Sequence, residues 1–407
     1  MKKRFFFDCF ALLTIAAGFF VLFCYQDFDS EFLDKLKTPE EDILKEYTVY
    51  EDKTYIDKKD VPPKQVFVQP SEEELVNCYY YSILSDEEKA IYAEVCSVLE
   101  SMDENKEIST LDTELLDKVF RCVMNDHPEF YYVDGYSYVT YTQNDQVVKL
   151  ELSGRYTKTK EECEVLDLKI KEYVQNCFTG ITPVMSDYEK VKYIYNYIIE
   201  KTEYDMNAAD NQNICSVFLN GESVCMGYAK AMQYLLLEQD ILCTLVKGTA
   251  NYRQEHAWNL LLLDGQYYHL DVTWGDDSYT VANAADSKVG MTNYSFFCVT
   301  TEEIMKTHTI DSVMPLPECI AWENNYYVKE GLYLESADME KMATIFKEAY
   351  AGNKEYVEIK CADKEVYGEI YSYLIDEQHI FDYLDTKMDT ISYYAGDELL
   401  LFEFWLK

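Results

Sequence analysis

Basic charge is the first thing this chain lacks. Its 36 Lys and Arg face 75 Asp and Glu, for a formal net charge of -39. Phosphate backbones are held by a basic face, so this balance excludes nucleic acid as a partner. An acidic surface keeps the protein soluble and repels polyanions, without bearing on the fold. Metal patterns are missing as well: there is no C-x-x-C pair, no Cys/His cluster of zinc spacing, no H-E-x-x-H and no alternating-oxygen calcium loop. No P-loop or dinucleotide fingerprint occurs either, so neither a metal nor another cofactor is expected. A disulfide framework is also missing. Of 13 cysteines, Cys9 and Cys24 fall in the first 25 residues, and the remaining eleven are odd in number and irregular in spacing. There is no internal repeat and no low-complexity tract.

What is present allows two or three domains: 407 residues, 48% of them hydrophobic. The 38 tyrosines read as core and half-buried sheet positions before any role in stacking on ligands. At the start, "MKKR" precedes the apolar run "FFFDCFALLTIAAGFFVLFCY", long enough to cross a bilayer with Asp8 at the interface. The basic flank places the N-terminus in the cytoplasm and the rest outside. No small-residue cleavage site follows, and Phe23 is too bulky for a lipoprotein signal before Cys24. Residues 1–25 are therefore read as an uncleaved signal anchor that holds the chain to the cell membrane, with a cleaved signal as the alternative. So many unpaired thiols in an exported chain suggest reducing or anaerobic surroundings.

Residues 26–70, punctuated by "TPEED" and "DVPPKQ", have the composition of an acidic linker. From 71 to 180, three amphipathic helical patterns precede short strands in "YYVDGYSYVTYTQNDQVVKLELSGRY". A core follows over 181–322. Its first helix starts at the capping-box pair Ser186 and Glu189 and carries Val191, Ile194, Tyr195 and Ile198 at helical steps. A second helix holds Cys225, and "ILCTLVKGTA", "HAWNLLLL" and "QYYHLDVTW" read as three strands. Over 323–407 the patterns alternate: strand "YYVKEGLYL", a helix, strand "EYVEIKCA", a helix and a final strand "ISYYAGDELLLFEFWLK".

In "GESVCMGYAKAMQYLL", Ser223 is a candidate N-cap, with Val224 first and Cys225 second in the helix. Val224, Tyr228, Ala231 and Leu235 form its buried stripe, while Gly227 and Ala229 allow a close neighbour. A thiol in a first helical turn faces unpaired amides and the positive dipole end, which favour the thiolate and could receive an oxyanion. A lone helical cysteine is nonetheless most often structural.

The weight comes from "HAWNLLLLDGQYYHLDVTW". Asp-Gly between two strand patterns signals a two-residue hairpin turn. Leu263 then faces Gln266, Trp258 faces Asp271, and His256 faces Thr273. Alternation puts His256 and Asp271 on one face as diagonal neighbours, close enough for a side-chain hydrogen bond; a slip of one residue would part them. A thiol with a His–Asp pair suits acyl transfer: His256 takes and returns the proton, and Asp271 fixes the imidazole. Trp258, Tyr204 and Asn213 are unranked candidates for a second oxyanion donor.

These motifs, in the order Cys, His, Asp, resemble those of the transglutaminase-like superfamily of papain-like thiol enzymes. "TEYD", "NYSFFCVT", His308 and "NDHPEFYYV" resemble features of surface-anchored bacterial members. The resemblance covers about residues 185–310 closely and 71–180 more loosely. It implies an α+β fold: a papain-like transglutaminase-type core with a helical/hairpin N-terminal module and a small α/β C-terminal module. It also implies a catalytic set of Cys225, His256 and Asp271. The superfamily includes transglutaminases, peptidases, peptide N-glycanases and members that have lost activity.

The other candidates have plainer readings. His269 shares a face with Asp271 and could compete for it; His127 reads as a helix-end residue; His308 and His379 show no partner. Trp258 and Trp274 read as packing around the histidine, Asp276 and Asp277 as loop carboxylates. Two functions follow as expectations. One is an extracytoplasmic cysteine hydrolase or acyltransferase acting on peptides or proteins, including cell-wall stem peptides. The other is a catalytically silent surface protein that binds peptides or partners.

Overall fold

The computed structural model describes residues 44–55, 75, 77–251, 254–276, 292–385, 388 and 390–406, and the backbone of Ala11–Ala16 and Phe19–Phe20. The chain divides into two compact units, Asp42–Ala321 and a second made of Met1–Glu41 with Trp322–Lys407. The helical module and the core, expected as separate parts meeting near residue 180, thus share one unit.

In the first unit, helix Asp86–Ser101 starts at a capping box of Ser85 and Glu88, and helix Thr113–Asp126 is capped by Asp112. The two helices adjoin and bury Ile91, Val95 and Leu99 on the first and Leu116, Val119 and Phe120 on the second. The expected short strands form a long hairpin, Val133–Gln143 with Gln146–Tyr156. Its turn residues Asn144 and Asp145 take left-handed φ of 49° and 60°, the geometry of a two-residue loop. Part of the supposed linker is not linker. Thr48–Tyr55 is a strand running parallel to Val133–Gln143, because its Thr, Val and Tyr residues complete a sheet edge whose backbone groups need partners. Residues 26–43 and 56–70 lie outside the described residues. The module docks on the core through polar contacts: Gln233 Nε2 donates to the Asn125 carbonyl at 2.7 Å, and Tyr80 OH to the Leu245 carbonyl at 3.4 Å.

The core sets helices α1 (Asp187–Lys201) and α2 (Cys225–Leu237) beside an antiparallel sheet. Its strands are β1 (Cys243–Ala250), β2 (Gln254–Leu263), β3 (Gln266–Leu270) and β4 (His308–Ile310), in the order β3-β2-β1-β4. The capping box of Ser186 and Glu189 is formed, and Val191, Ile194, Tyr195 and Ile198 are buried. Helix α2 is apolar nearly all round and buried accordingly, more than a single stripe.

The second unit has a six-stranded sheet in the order Tyr333–Leu334, Tyr356–Cys361, Leu401–Trp405, Thr390–Gly396, Ala11–Ala16, Phe19–Phe20. Helices Met339–Ala351 and Lys364–Tyr371 alternate with it as expected. Two local expectations fail. Tyr326–Lys329 is a helical turn, because the Asn325 side chain caps it by accepting from the Tyr327 amide at 3.1 Å. The last strand is in fact two, folded back at residues 397–400. Within the segment read as a membrane anchor, Ala11–Ala16 pairs antiparallel with Thr390–Gly396, so its backbone partners come from a strand. The rest of residues 1–25 lies outside the described residues, among which no helix is long and apolar enough to cross a membrane.

Candidate active site

Helix α2 begins one residue later than its sequence suggests. Val224 is extended and occupies the N-cap, and Cys225 is the first helical residue. Ser223 cannot cap, because it lies in a short parallel pairing with Tyr204 and its Oγ is 2.6 Å from Ser216 Oγ. Cys225 therefore heads a 13-residue helix, where first-turn amides lack intrahelical partners and the dipole favours an anion. It is 1% exposed, in a cluster with Leu44, Val224, Met226, Ala229, Leu245 and Ala257.

The hairpin has the register its Asp-Gly turn predicts. Asp264 and Gly265 both take left-handed φ, 51° and 76°, and Leu263 pairs with Gln266 through to Asn259 with Leu270. Strand β3 ends at Leu270, one residue before Asp271, whose amide donates instead to the Phe296 carbonyl at 3.0 Å. His256 in β2 and Asp271 meet as diagonal neighbours, with His256 Nε2 2.7 Å from Asp271 Oδ2. Both are buried. With Nε2 taken, Nδ1 is the ring nitrogen left for the Cys225 thiol, whose hydrogen bond and charge act on His256.

A buried carboxylate needs donors, and Asp271 has four. Oδ1 accepts the amides of Thr273 at 3.0 Å and Trp274 at 3.2 Å. Oδ2 accepts from His256 and also from His308 Nε2 at 3.2 Å. Burial alone would raise the Asp271 pKa, but the His256 charge and the bonds from both imidazoles hold it well below the carboxylate range. Burial likewise pulls His256 down, yet the Asp271 charge and hydrogen bond, joined by the thiol, push it up to about 10. The pair is a carboxylate and an imidazolium in the neutral range.

His308 had no visible partner in the sequence, and its place on the Asp271 carboxylate emerges only in the fold. It lies on β4, which pairs with β1 at Ala250↔His308 and Gly248↔Ile310. Gly248 also sits opposite His256 on the other edge of β1. A Cβ there would overlap the Thr309 carbonyl oxygen, so the glycine lets β4 close on the histidine. The signal available in the sequence was a histidine beside the strand-forming pair Thr309 and Ile310, without any sign of its pairing partner. Trp258, Trp274 and Phe296 wall the two imidazoles: Trp258 stacks on His256 at 6.1 Å, and Trp274 lies 4.6 Å from His308.

Other predicted residues go elsewhere. His269 does not reach Asp271: its Nδ1 accepts from Trp258 Nε1 at 3.1 Å, and its Nε2 faces Thr301 Oγ1 at 3.2 Å. Burial, above all, pushes it down to about 4, so it stays neutral. That bond commits the Trp258 N–H and removes it as an oxyanion donor. Asn213 Oδ1 accepts the Cys215 amide at 2.9 Å, which orients the side chain for its own loop. Tyr204 packs against the Cys225 cluster. His127 caps the end of helix Thr113–Asp126, and His379 pairs with Asp382 in the second unit. Asp276 accepts the Tyr228 hydroxyl at 2.6 Å, and Asp277 lies outside the described residues. As for metals, the His256, Asp271 and His308 ligand atoms lie within 4.8 Å of one another, a donor set a divalent ion could use. The hydrogen bonds among them account for the arrangement by themselves.

Residues 175–272, which span Cys225, His256 and Asp271, match the family model of the Transglutaminase-like superfamily. The chain carries a transglutaminase-like core. The mouse kyphoscoliosis peptidase is 24% identical to it over 170 residues, 36% of this chain and 25% of that protein. The human kyphoscoliosis peptidase is 24% identical over 190 residues, 41% and 27% of the two chains. The match thus spans about a quarter of the length of these curated relatives. A crystal structure of a TGase aligns at 13% identity with a TM-score of 0.26, over 34% of this chain and 51% of that one. The transglutaminase-like core combines helix and strand as the sequence implied.

Proposed function

We propose that the transglutaminase-like core is a cysteine enzyme that forms a thioester with a peptide or carboxamide substrate. The observation that carries this reading is the His256–Asp271 pair at 2.7 Å, whose other neighbour is the thiol heading α2. His256 holds, as an imidazolium, the proton taken from the Cys225 thiol, and the sulfur attacks the carbonyl carbon. The oxyanion faces the first-turn amides of α2. When the tetrahedral intermediate collapses, the C–N bond breaks, and the nitrogen leaves with the proton returned by His256. Water then hydrolyses the thioester, or an amine takes the acyl group, and either restores the thiol. Asp271 holds the imidazole in place and balances its charge. The substrates fitting this chemistry are peptides or proteins, cell-wall stem peptides among them if the chain is exported. The export reading is supported by the basic and apolar first 25 residues.

The test is turnover and thiol reactivity together. Cys225→Ala abolishes release of product or amine incorporation on a substrate the wild type uses, and undiminished turnover sinks the reading. Iodoacetamide labels Cys225 faster near neutral pH than it labels the other buried thiols, and His256→Ala slows it. A second reading, a silent peptide-binding surface protein, draws on the near-complete burial of Cys225 in the cluster that includes Leu44. It calls for labelling no faster than that of the other cysteines.

A further inference from the structure

The residues before strand Thr48–Tyr55 run across the candidate site. Leu44 is buried in the cluster that contains Cys225, Met226, Ala229 and Ala257. Its backbone N–H donates to Glu255 Oε2 at 3.2 Å, and the next N–H, of Lys45, donates to Gln212 Oε1 at 3.1 Å. Glu255 immediately precedes His256 in β2, and Gln212 lies in the loop leading to Cys225. Two consecutive amides are thus read by one acceptor from the element bearing the imidazole and one from the segment leading to the thiol. Beyond them, Glu46 pairs with Arg121 at 2.8 Å, and Tyr47 packs edge-on against Phe120 at 5.3 Å with the Lys247 ammonium 5.0 Å over its ring. The strap is fastened at every residue from 44 to 47.

Main-chain amides given to fixed acceptors, with a side chain seated in an apolar pocket, are how an extended peptide is recognised. We propose that Leu44–Tyr47 is a built-in occupant of the substrate cleft, and that the cleft takes an extended peptide with an aliphatic side chain beside Cys225 and its amides on Glu255 and Gln212. This rests on Cys225 being the nucleophile. With the strap seated, access to Cys225 is restricted to the moments when the strap lifts; a substrate gains full entry when the strap is displaced. Because the strap is tethered, it competes at a high effective concentration, so weakening one anchor raises access without building a new contact.

The test uses the full chain and reads iodoacetamide labelling at each cysteine by peptide mass spectrometry. Leu44→Asp places a charge in the pocket and is expected to speed Cys225 labelling about tenfold or more over wild type, the other buried cysteines staying protected. The synthetic peptide "DILKEYTVYE", residues 42–51, suppresses that gain, and the same peptide with Asp in place of the leucine does not. Unchanged Cys225 labelling in a folded Leu44→Asp protein overturns the proposal. If every cysteine becomes labelled, the protein has unfolded and the milder Leu44→Ala and Glu255→Ala variants decide: severalfold faster labelling at Cys225 supports the strap, and no change overturns it. Adding His256→Ala to Leu44→Asp separates the two readings. A gain from Leu44→Asp that His256→Ala leaves untouched keeps the strap and removes the catalytic pair.

Discussion

His256 and His308 hold the same carboxylate oxygen of Asp271, at 2.7 and 3.2 Å, from strands on opposite edges of β1. The Thr307 hydroxyl lies 2.8 Å from His308 Nδ1 and 3.4 Å from the Ile304 carbonyl. Donating along the shorter contact leaves the His308 proton on Nε2, where Asp271 accepts it. An uncompensated charge at this depth would cost several kcal/mol, and four donors offset that.

His308→Ala removes one of those donors. The Asp271 charge then becomes harder to hold, and so does the imidazolium that depends on it. Cys225 labelling is expected to slow by roughly 10-fold, the equivalent of a lost hydrogen bond to a charged group, and the alkaline limb of its pH profile moves to lower pH. His308→Gln, which keeps an N–H at that reach, restores both. A pH profile that His308→Ala does not move would show that the second imidazole only fills space.

Stability carries the same linkage with a definite sign. His256 is raised from 6.5 to about 10 in the folded protein, so its contribution is complete below 6.5 and is lost as pH rises through about 10. Urea midpoints at pH 6, 8 and 10, for wild type against His256→Gln, should converge at the alkaline end. A gap that stays constant across this range contradicts the raised imidazole.

The hairpin turn gives a test of backbone conformation alone. Gly265 has φ 76°, and nothing lies within 4 Å of the position its Cβ would take. Gly265→Val should cost about 1–2 kcal/mol by urea unfolding, the left-handed penalty of a side chain. Gly265→Asn should cost less, since Asn tolerates that region. Equal losses would mean that the turn conformation is not what the glycine supplies.

Gly248→Ala tests close approach. The added methyl meets the Thr309 backbone and comes within 2.9 Å of Trp258 Cη2, so β4 has to move. A loss of about 1–3 kcal/mol is expected, together with slower labelling of the kind expected on removing His308. Full stability with full reactivity would show that β4 tolerates the shift and that His308 is dispensable.

Much of the site was readable because its key geometry is local. Asp264-Gly265 dictates a two-residue turn, the turn dictates a register, and side-chain alternation then brings His256 beside Asp271 within sixteen residues of chain. The exact start of α2 was less legible. Ser223 is a good N-cap by type, but its hydroxyl was claimed by Ser216 and its backbone by Tyr204, contacts that arise only after folding. Residues 48–55 were hidden for a related reason: charged residues interrupt the strand pattern, and the pairing with Val133–Gln143 is nearly ninety residues away.

The order of Cys225, His256 and Asp271, the hairpin register and the capped helix starts were determined by the sequence itself, through turn chemistry and periodicity that act over a few residues. Tertiary structure decided what surrounds them: His308 on the shared carboxylate, His269 turned to Trp258, and Leu44 packed into the cluster that holds the thiol. Those contacts join residues from eleven to nearly two hundred positions apart. No local rule encodes them, because they follow from how separately formed elements bury their apolar faces and satisfy their polar groups against one another.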